Sequence, residues 1–170
     1  PSRSEMKSYL LQGMDVFLKA GFTHIRDVGG SHTHWELASE IHREGRLKLY
    51  VEMFFNLDDV NQLNERINQI IACRSILSDF LRVGGLKFYY DGALGSDGAL
   101  LSQNYAGQNH CGLRVFALSK IEEIMHRCWE QNIPVAIHTL GDEAVHQVVQ
   151  VAHGLKAKGL DGKLNLEHCE

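Results

Sequence analysis

The chain has 170 residues, 44% of them hydrophobic, enough to bury a core in an ordinary globular fold. A formal net charge of -4 excludes the basic face that nucleic acid or an anionic membrane requires, and no apolar run approaches the roughly 18 residues of a spanning helix. Cys73, Cys111, Cys128 and Cys169 form no Cys-x-x-Cys pair, so reduced thiols and a cytoplasmic location are expected. The opening Pro1-Ser2-Arg3-Ser4 is neither an initiator methionine nor a signal peptide, and the sequence is expected to start inside a longer chain.

Met6, Leu10, Met14 and Leu18 recur at four-residue steps and predict a helix over 4–20, which Gly21 ends. Residues 22–28 read as a strand before Gly29-Gly30. Thr33-x-x-Glu36 reads as a capping box for a helix reaching about Glu44. A strand over 47–55 follows, then a long helix from Asp58-Asp59 to about Arg82. Gly84-Gly85 introduce a strand over 86–91, and residues 92–114 form a glycine-rich loop. Ser119-x-x-Glu122, one position off ideal capping register, opens a helix to Gln131. A strand over 133–138, a helix over 142–158 capped by Asp142, and a strand over 163–168 complete the chain.

Five strands separated by helices demand parallel pairing. The α/β chain, residues 1–170, is then one domain, either an open doubly wound sheet or part of a (β/α)8 TIM-type barrel, which in full needs about 250 residues. No Gly-x-Gly-x-x-Gly opens a helix after the first strand, so nucleotide binding has little support.

In either architecture the active site lines the carboxyl ends of the strands. Three strands carry a potential ligand there: Lys87 in LKFYYD, His138 in PVAIHTLGD and His168 in LNLEHCE. Imidazole suits zinc, iron or nickel. A lysine becomes an anionic oxygen ligand only when its neutral amine captures carbon dioxide as a carbamate, which burial favours by lowering the amine pKa. A single histidine or lysine at a strand end is more often scaffold; the succession Lys, His, His is the signal.

LKFYYDGALGSDGALL, then VAIHTLGDEAVHQVV and LNLEHCE, resembles the YtcJ-like branch of the amidohydrolase superfamily, which includes N-substituted formamide deformylases; GFTHIRDVGG is similar to that family's second strand and turn. The resemblance implies a partial (β/α)8 barrel, strands two to six, with a metal centre at its carboxyl face. It implies that Lys87, carbamylated and bridging, His138 and His168 are ligands of one or two divalent ions, zinc first. The bound ions would activate water and polarise the carbonyl of an amide-like or other C–N substrate. The family's His-x-His of strand one and catalytic Asp of strand eight have no counterpart here, so the general base is expected outside this chain and the stretch alone is expected to be inactive. Asp97 and Gly98 stand where many relatives have Arg and a small residue.

Other residues are weighed against this set. His32-Thr33-His34 imitates the His-x-His but overlaps a helix cap. His42, His126, His146 and His153 are expected to face solvent. Asp91 and Gly92 either touch substrate or start a turn. Asp27 is expected at the mouth, Glu167 toward the helix layer opposite to His168, and Cys169 away from the ligand face, since neighbouring strand residues alternate. The expected partners are a small-molecule substrate and, at the two open sheet edges, the remainder of the barrel or a second copy of the chain. The rival reading is a barrel fragment without activity of its own.

Overall fold

A computed structural model describes residues 1–75 and 78–169. Its α/β elements run in the order α1 (Arg3–Lys19), β1 (His24–Gly30), α2 (His32–Arg43), β2 (Tyr50–Asn56), α3 (Leu63–Arg74), β3 (Leu81–Tyr89), α4 (Leu118–Glu130), β4 (Val135–Thr139), α5 (Asp142–Ala157) and β5 (Leu164–His168). The hydrogen-bonded strand order is sequential, β1-β2-β3-β4-β5, the parallel pattern expected of a partial TIM-type barrel. The chain falls into two compact units: residues 1–56 with 68–84, and residues 57–67 with 85–170.

In the first unit, α1 starts at Ser2, whose hydroxyl accepts from the Glu5 N–H while the Glu5 carboxylate accepts from the Ser2 N–H. The α2 cap differs from expectation. Ser31, not Thr33, is the cap, and His34 at the third helical position closes the box with its Nδ1 facing the Ser31 N–H. Trp35, Leu37, Ala38 and Ile41 then form the buried face of α2. Residues Val51 to Phe55 of β2 are all buried, as a parallel strand covered on both sides requires. The charged member of that run, Glu52, is 8% exposed and is held by Arg82 and, at 3.4 Å, by Arg26.

A cavity of about 460 Å³ opens beneath α1, lined by Met6, Leu10, Met14, Ile25, Asp27 and His34 among others. Asp27 pairs in register with Met53, which lines the same cavity, so Asp27 looks toward the helices and not into a strand-end mouth. Burial raises its pKa, with the nearby His34 acting in the opposite sense.

The helix expected to reach Arg82 ends at Arg74, and β3 already begins at Leu81; residues 76 and 77 lie outside the described residues. The Val51 N–H donates to the Phe80 carbonyl and the Leu57 N–H to the Lys87 carbonyl.

In the second unit α4 buries Ile121, Ile124, Met125 and Cys128 and packs on α5. Neither helix has the side-chain cap expected of it: Ala117 caps α4 and Gly141 caps α5, and neither makes a side-chain cap bond. Asp142 is the first helical residue of α5, and its carboxylate accepts from the N–H and hydroxyl of Ser102. No helix among the described residues is long and apolar enough to cross a membrane.

Candidate metal centre

The site is built by register. Lys87 pairs with Ala136 and Tyr89 with His138, while His138 pairs with Glu167 and Thr139 with His168. Alternation puts Lys87, Tyr89, His138 and Glu167 on one face of the second unit. Glu167 is thus on the ligand face, and its negative charge reaches Lys87; it does not turn toward the helices as expected. His168 lies one position further on, where extended backbone would turn it away. Its φ of 79° breaks the alternation, and its ring meets that of His138 at 4.7 Å between centroids.

Lys87 is 2% exposed. Its Nζ donates to the Phe88 carbonyl at 3.1 Å and sits 3.5 Å from the Tyr89 ring centroid. Burial pulls the amine down to about 8, against the opposing charge of Glu167. At pH 7 about one such amine in ten is therefore neutral, a far larger share than for a solvated lysine.

The His138 pKa is also lowered, chiefly by burial, with the positive neighbours His168 and Lys87 adding to the shift and the Gly92 carbonyl and Asp91 opposing it. Its Nε2 lies 3.4 Å from the Gly92 carbonyl oxygen and 3.8 Å from Asp91 Oδ1. With Nε2–H directed at that carbonyl, Nδ1 keeps its lone pair, the arrangement a metal-ligating imidazole adopts.

The donor set fits a divalent ion in part. Two imidazoles whose rings meet, one of them with a pKa lowered by burial, and a buried amine of lowered pKa are suitable groups. Among the described residues, however, no three His, Cys, Asp or Glu side chains gather as a metal cage, and zinc wants about four donors. Lys87 and donors from elsewhere would have to complete the shell. Of the His32-Thr33-His34 imitation, His34 is occupied by its helix cap and the His32 ring lies 6.4 Å from that of Phe55. His126, His146 and His153 are exposed as expected, whereas His42 is half-buried and bonded to the Ser78 hydroxyl at 3.0 Å. Cys169 is exposed, its sulfur 3.9 Å from the Thr139 hydroxyl.

Of the two roles open to Asp91, the structure displays the turn-building one. Its side chain is buried, and its carboxylate accepts from the backbone N–H groups of Leu100, Leu140 and Gly141. Gly92 offers His138 its carbonyl, and its Cα is packed so closely on Gly98 that a Cβ would stand 3.0 Å from the Gly98 oxygen. Sequence reasoning missed the Asp91 contacts and the inward Glu167; the only cue to the first was an acidic residue directly after a buried strand.

Several known proteins are similar to this chain in sequence or in fold. N-substituted formamide deformylase of Arthrobacter pascens is 24% identical over 164 residues, covering 92% of this chain and 29% of that protein. Protein LONG AFTER FAR-RED 3 of Arabidopsis thaliana is 31% identical over 99 residues, 56% of this chain and 17% of its own length. The chain therefore spans less than a third of these relatives. In fold it is similar to uncharacterized metal-dependent hydrolases of Pyrococcus furiosus (TM-score 0.76, 24% identity, 96% of this chain and 34% of that one) and Pyrococcus horikoshii OT3 (TM-score 0.77, 22% identity, 96% and 32%). The Amidohydrolase family matches residues 1–170, so the chain belongs to the Amidohydrolase family.

Proposed function

We propose that residues 1–170 form one catalytic-barrel domain portion, strands two to six, of a hydrolase that cleaves amide-like or other C–N bonds, with Lys87, His138 and His168 as metal ligands. The observation that carries this reading is the meeting of the His138 and His168 rings at 4.7 Å on the face that also holds the buried, low-pKa Lys87. The C–N preference is supported by the relative named as an N-substituted formamide deformylase. Imidazole donors suit zinc. A bound ion would supply Lewis-acid polarisation of the substrate carbonyl and a more acidic water. The chain's own residues prepare the site. Burial keeps part of Lys87 unprotonated, so its nitrogen can add to carbon dioxide and shed a proton to become a carbamate. The Gly92 carbonyl orients His138, and Gly92 borders the space a substrate would enter. A general base must come from elsewhere in the longer protein.

A second reading, that this stretch is a barrel fragment without activity of its own, is favoured by its span of 29% of the formamide deformylase relative. On the first reading the protein acts on a small-molecule substrate in the cytoplasm; on either, β1 and β5, each with a single strand neighbour among the described residues, are covered by the rest of the barrel or a second copy.

The test is metal content and amide hydrolysis in the full-length protein. One or two divalent ions per chain are expected, with both metal and activity falling in Lys87→Ala and bicarbonate aiding assembly of the parent protein only. Full activity in Lys87→Ala with unchanged metal would remove the bridging role and leave a mononuclear centre on His138 and His168.

A further inference from the structure

The carboxylate of Asp91 joins three pieces of the second unit. Its side chain has no exposed surface. Oδ1 accepts from the Leu140 N–H at 3.0 Å, and Oδ2 accepts from Gly141 at 2.8 Å and Leu100 at 3.0 Å. The donors come from the 92–114 loop and from the turn between β4 and α5, while the acceptor stands just past the end of β3. The backbones around it interlock as well. The Gly92 N–H donates to Gly98 at 3.0 Å and the Ala144 N–H to Leu100 at 3.2 Å. A Cβ at Gly141 would stand 1.9 Å from the Leu100 oxygen, and one at Gly112 would stand 2.0 Å from the Ala99 oxygen. Glycine at these positions lets the chain segments approach to hydrogen-bonding distance.

His138 borders this knot. The next residue after Asp91 presents its carbonyl to His138 Nε2 at 3.4 Å, and two residues after His138 the chain is pinned by Asp91 through the Leu140 N–H. Movement of the carboxylate would displace both the carbonyl that orients the ring and the strand end that carries it. A buried carboxylate accepting three amides cannot be replaced by a carboxamide without loss, because one of its two positions becomes an N–H donor facing another donor.

We propose that Asp91 is a positioning residue for the metal centre: by tying the loop at Leu100 and the turn at Leu140–Gly141 to the end of β3, it sets the His138 imidazole for ligation. The inference rests on the metal-centre reading above. Coupling of this kind is reciprocal, so metal loading must stabilise the knot as much as the knot favours the metal.

The experiment uses the full-length protein and zinc. Amide hydrogen exchange at Leu100, Leu140 and Gly141 is expected to slow by about 5- to 150-fold on zinc loading, the span of ordinary two-site coupling. Asp91→Asn is expected to raise the zinc dissociation constant about 10- to 100-fold, as loss of an outer-shell partner does. A folded Asp91→Asn protein with parental zinc affinity overturns the inference. If that variant does not fold, the exchange measurement on the parent decides, and unchanged exchange at Leu100 on zinc loading overturns it equally. His138→Ala separates the two readings. If it binds zinc like the parent, the metal centre itself is misassigned; if it loses zinc while Asp91→Asn keeps it, only the positioning role falls.

Discussion

Replacing Lys87 by methionine keeps an unbranched stem of similar length and removes the ammonium. In the folded protein burial lowers the lysine from 10.5 to about 8. At 1.36 kcal/mol per unit, that displacement means the buried cation opposes folding by at most about 3 kcal/mol. The Phe88 carbonyl bond and the Tyr89 ring contact are lost in the variant, so a net gain of about 2 kcal/mol is expected at pH 7. The sign follows from the direction of the shift. Below pH 8 both folded and unfolded chains hold the proton and the penalty is complete. Between pH 8 and 10.5 the folded chain releases it first, the unfolded chain binds more protons, and the parent's stability rises with pH. The advantage of Lys87→Met should therefore shrink steadily from pH 8 to pH 10. Denaturant midpoints of the metal-stripped full-length protein, parent and variant, measure it. A loss of stability at pH 7, or a gain that stays flat to pH 10, refutes the reasoning, as does an NMR titration of the Lys87 side chain with a midpoint near 10.5.

Three further outcomes are expected. Glu52→Ala removes the carboxylate shared by Arg26 and Arg82 at a position 8% exposed; because Arg82 itself is largely solvated, a destabilisation of about 1–2 kcal/mol should appear in thermal melts. Gly141→Ala drives a Cβ to 1.9 Å from the backbone oxygen of Leu100, and a loss of about 3 kcal/mol is expected in the same assay; a neutral result would show that the turn and loop do not touch. Cys73 and Cys128 are 5% and 0% exposed, and burial raises the Cys73 thiol to about 11, so alkylation at pH 8 should leave both unmodified until denaturant is added. Mass spectrometry of the labelled peptides checks this.

The sequence by itself determined the alternation of helices and parallel strands, because apolar periodicity and glycine punctuation are local signals. It also placed Lys87 and His138 correctly at strand ends, since a strand's length is readable to within a few residues. What it could not decide were features made by partners distant along the chain. The stretch 75–82 reads as a helical continuation, yet the Val51 amide reaches the Phe80 carbonyl and β3 begins by Leu81. Period-two alternation assigned Glu167 to the helix side and His168 to the ligand face; the register with His138 and the positive φ of His168 place both residues on the ligand side. The capping boxes failed at Thr33 and Ser119 because a cap needs a side chain that the local backbone turns inward, which Ser31 satisfies in α2 and no side chain satisfies in α4. Asp91 is the clearest case. Nothing in DGALGSDGALL says that its carboxylate is buried, because two of its three donors, Leu140 and Gly141, lie about fifty residues away, and only the pairing of β3 with β4 brings them within reach.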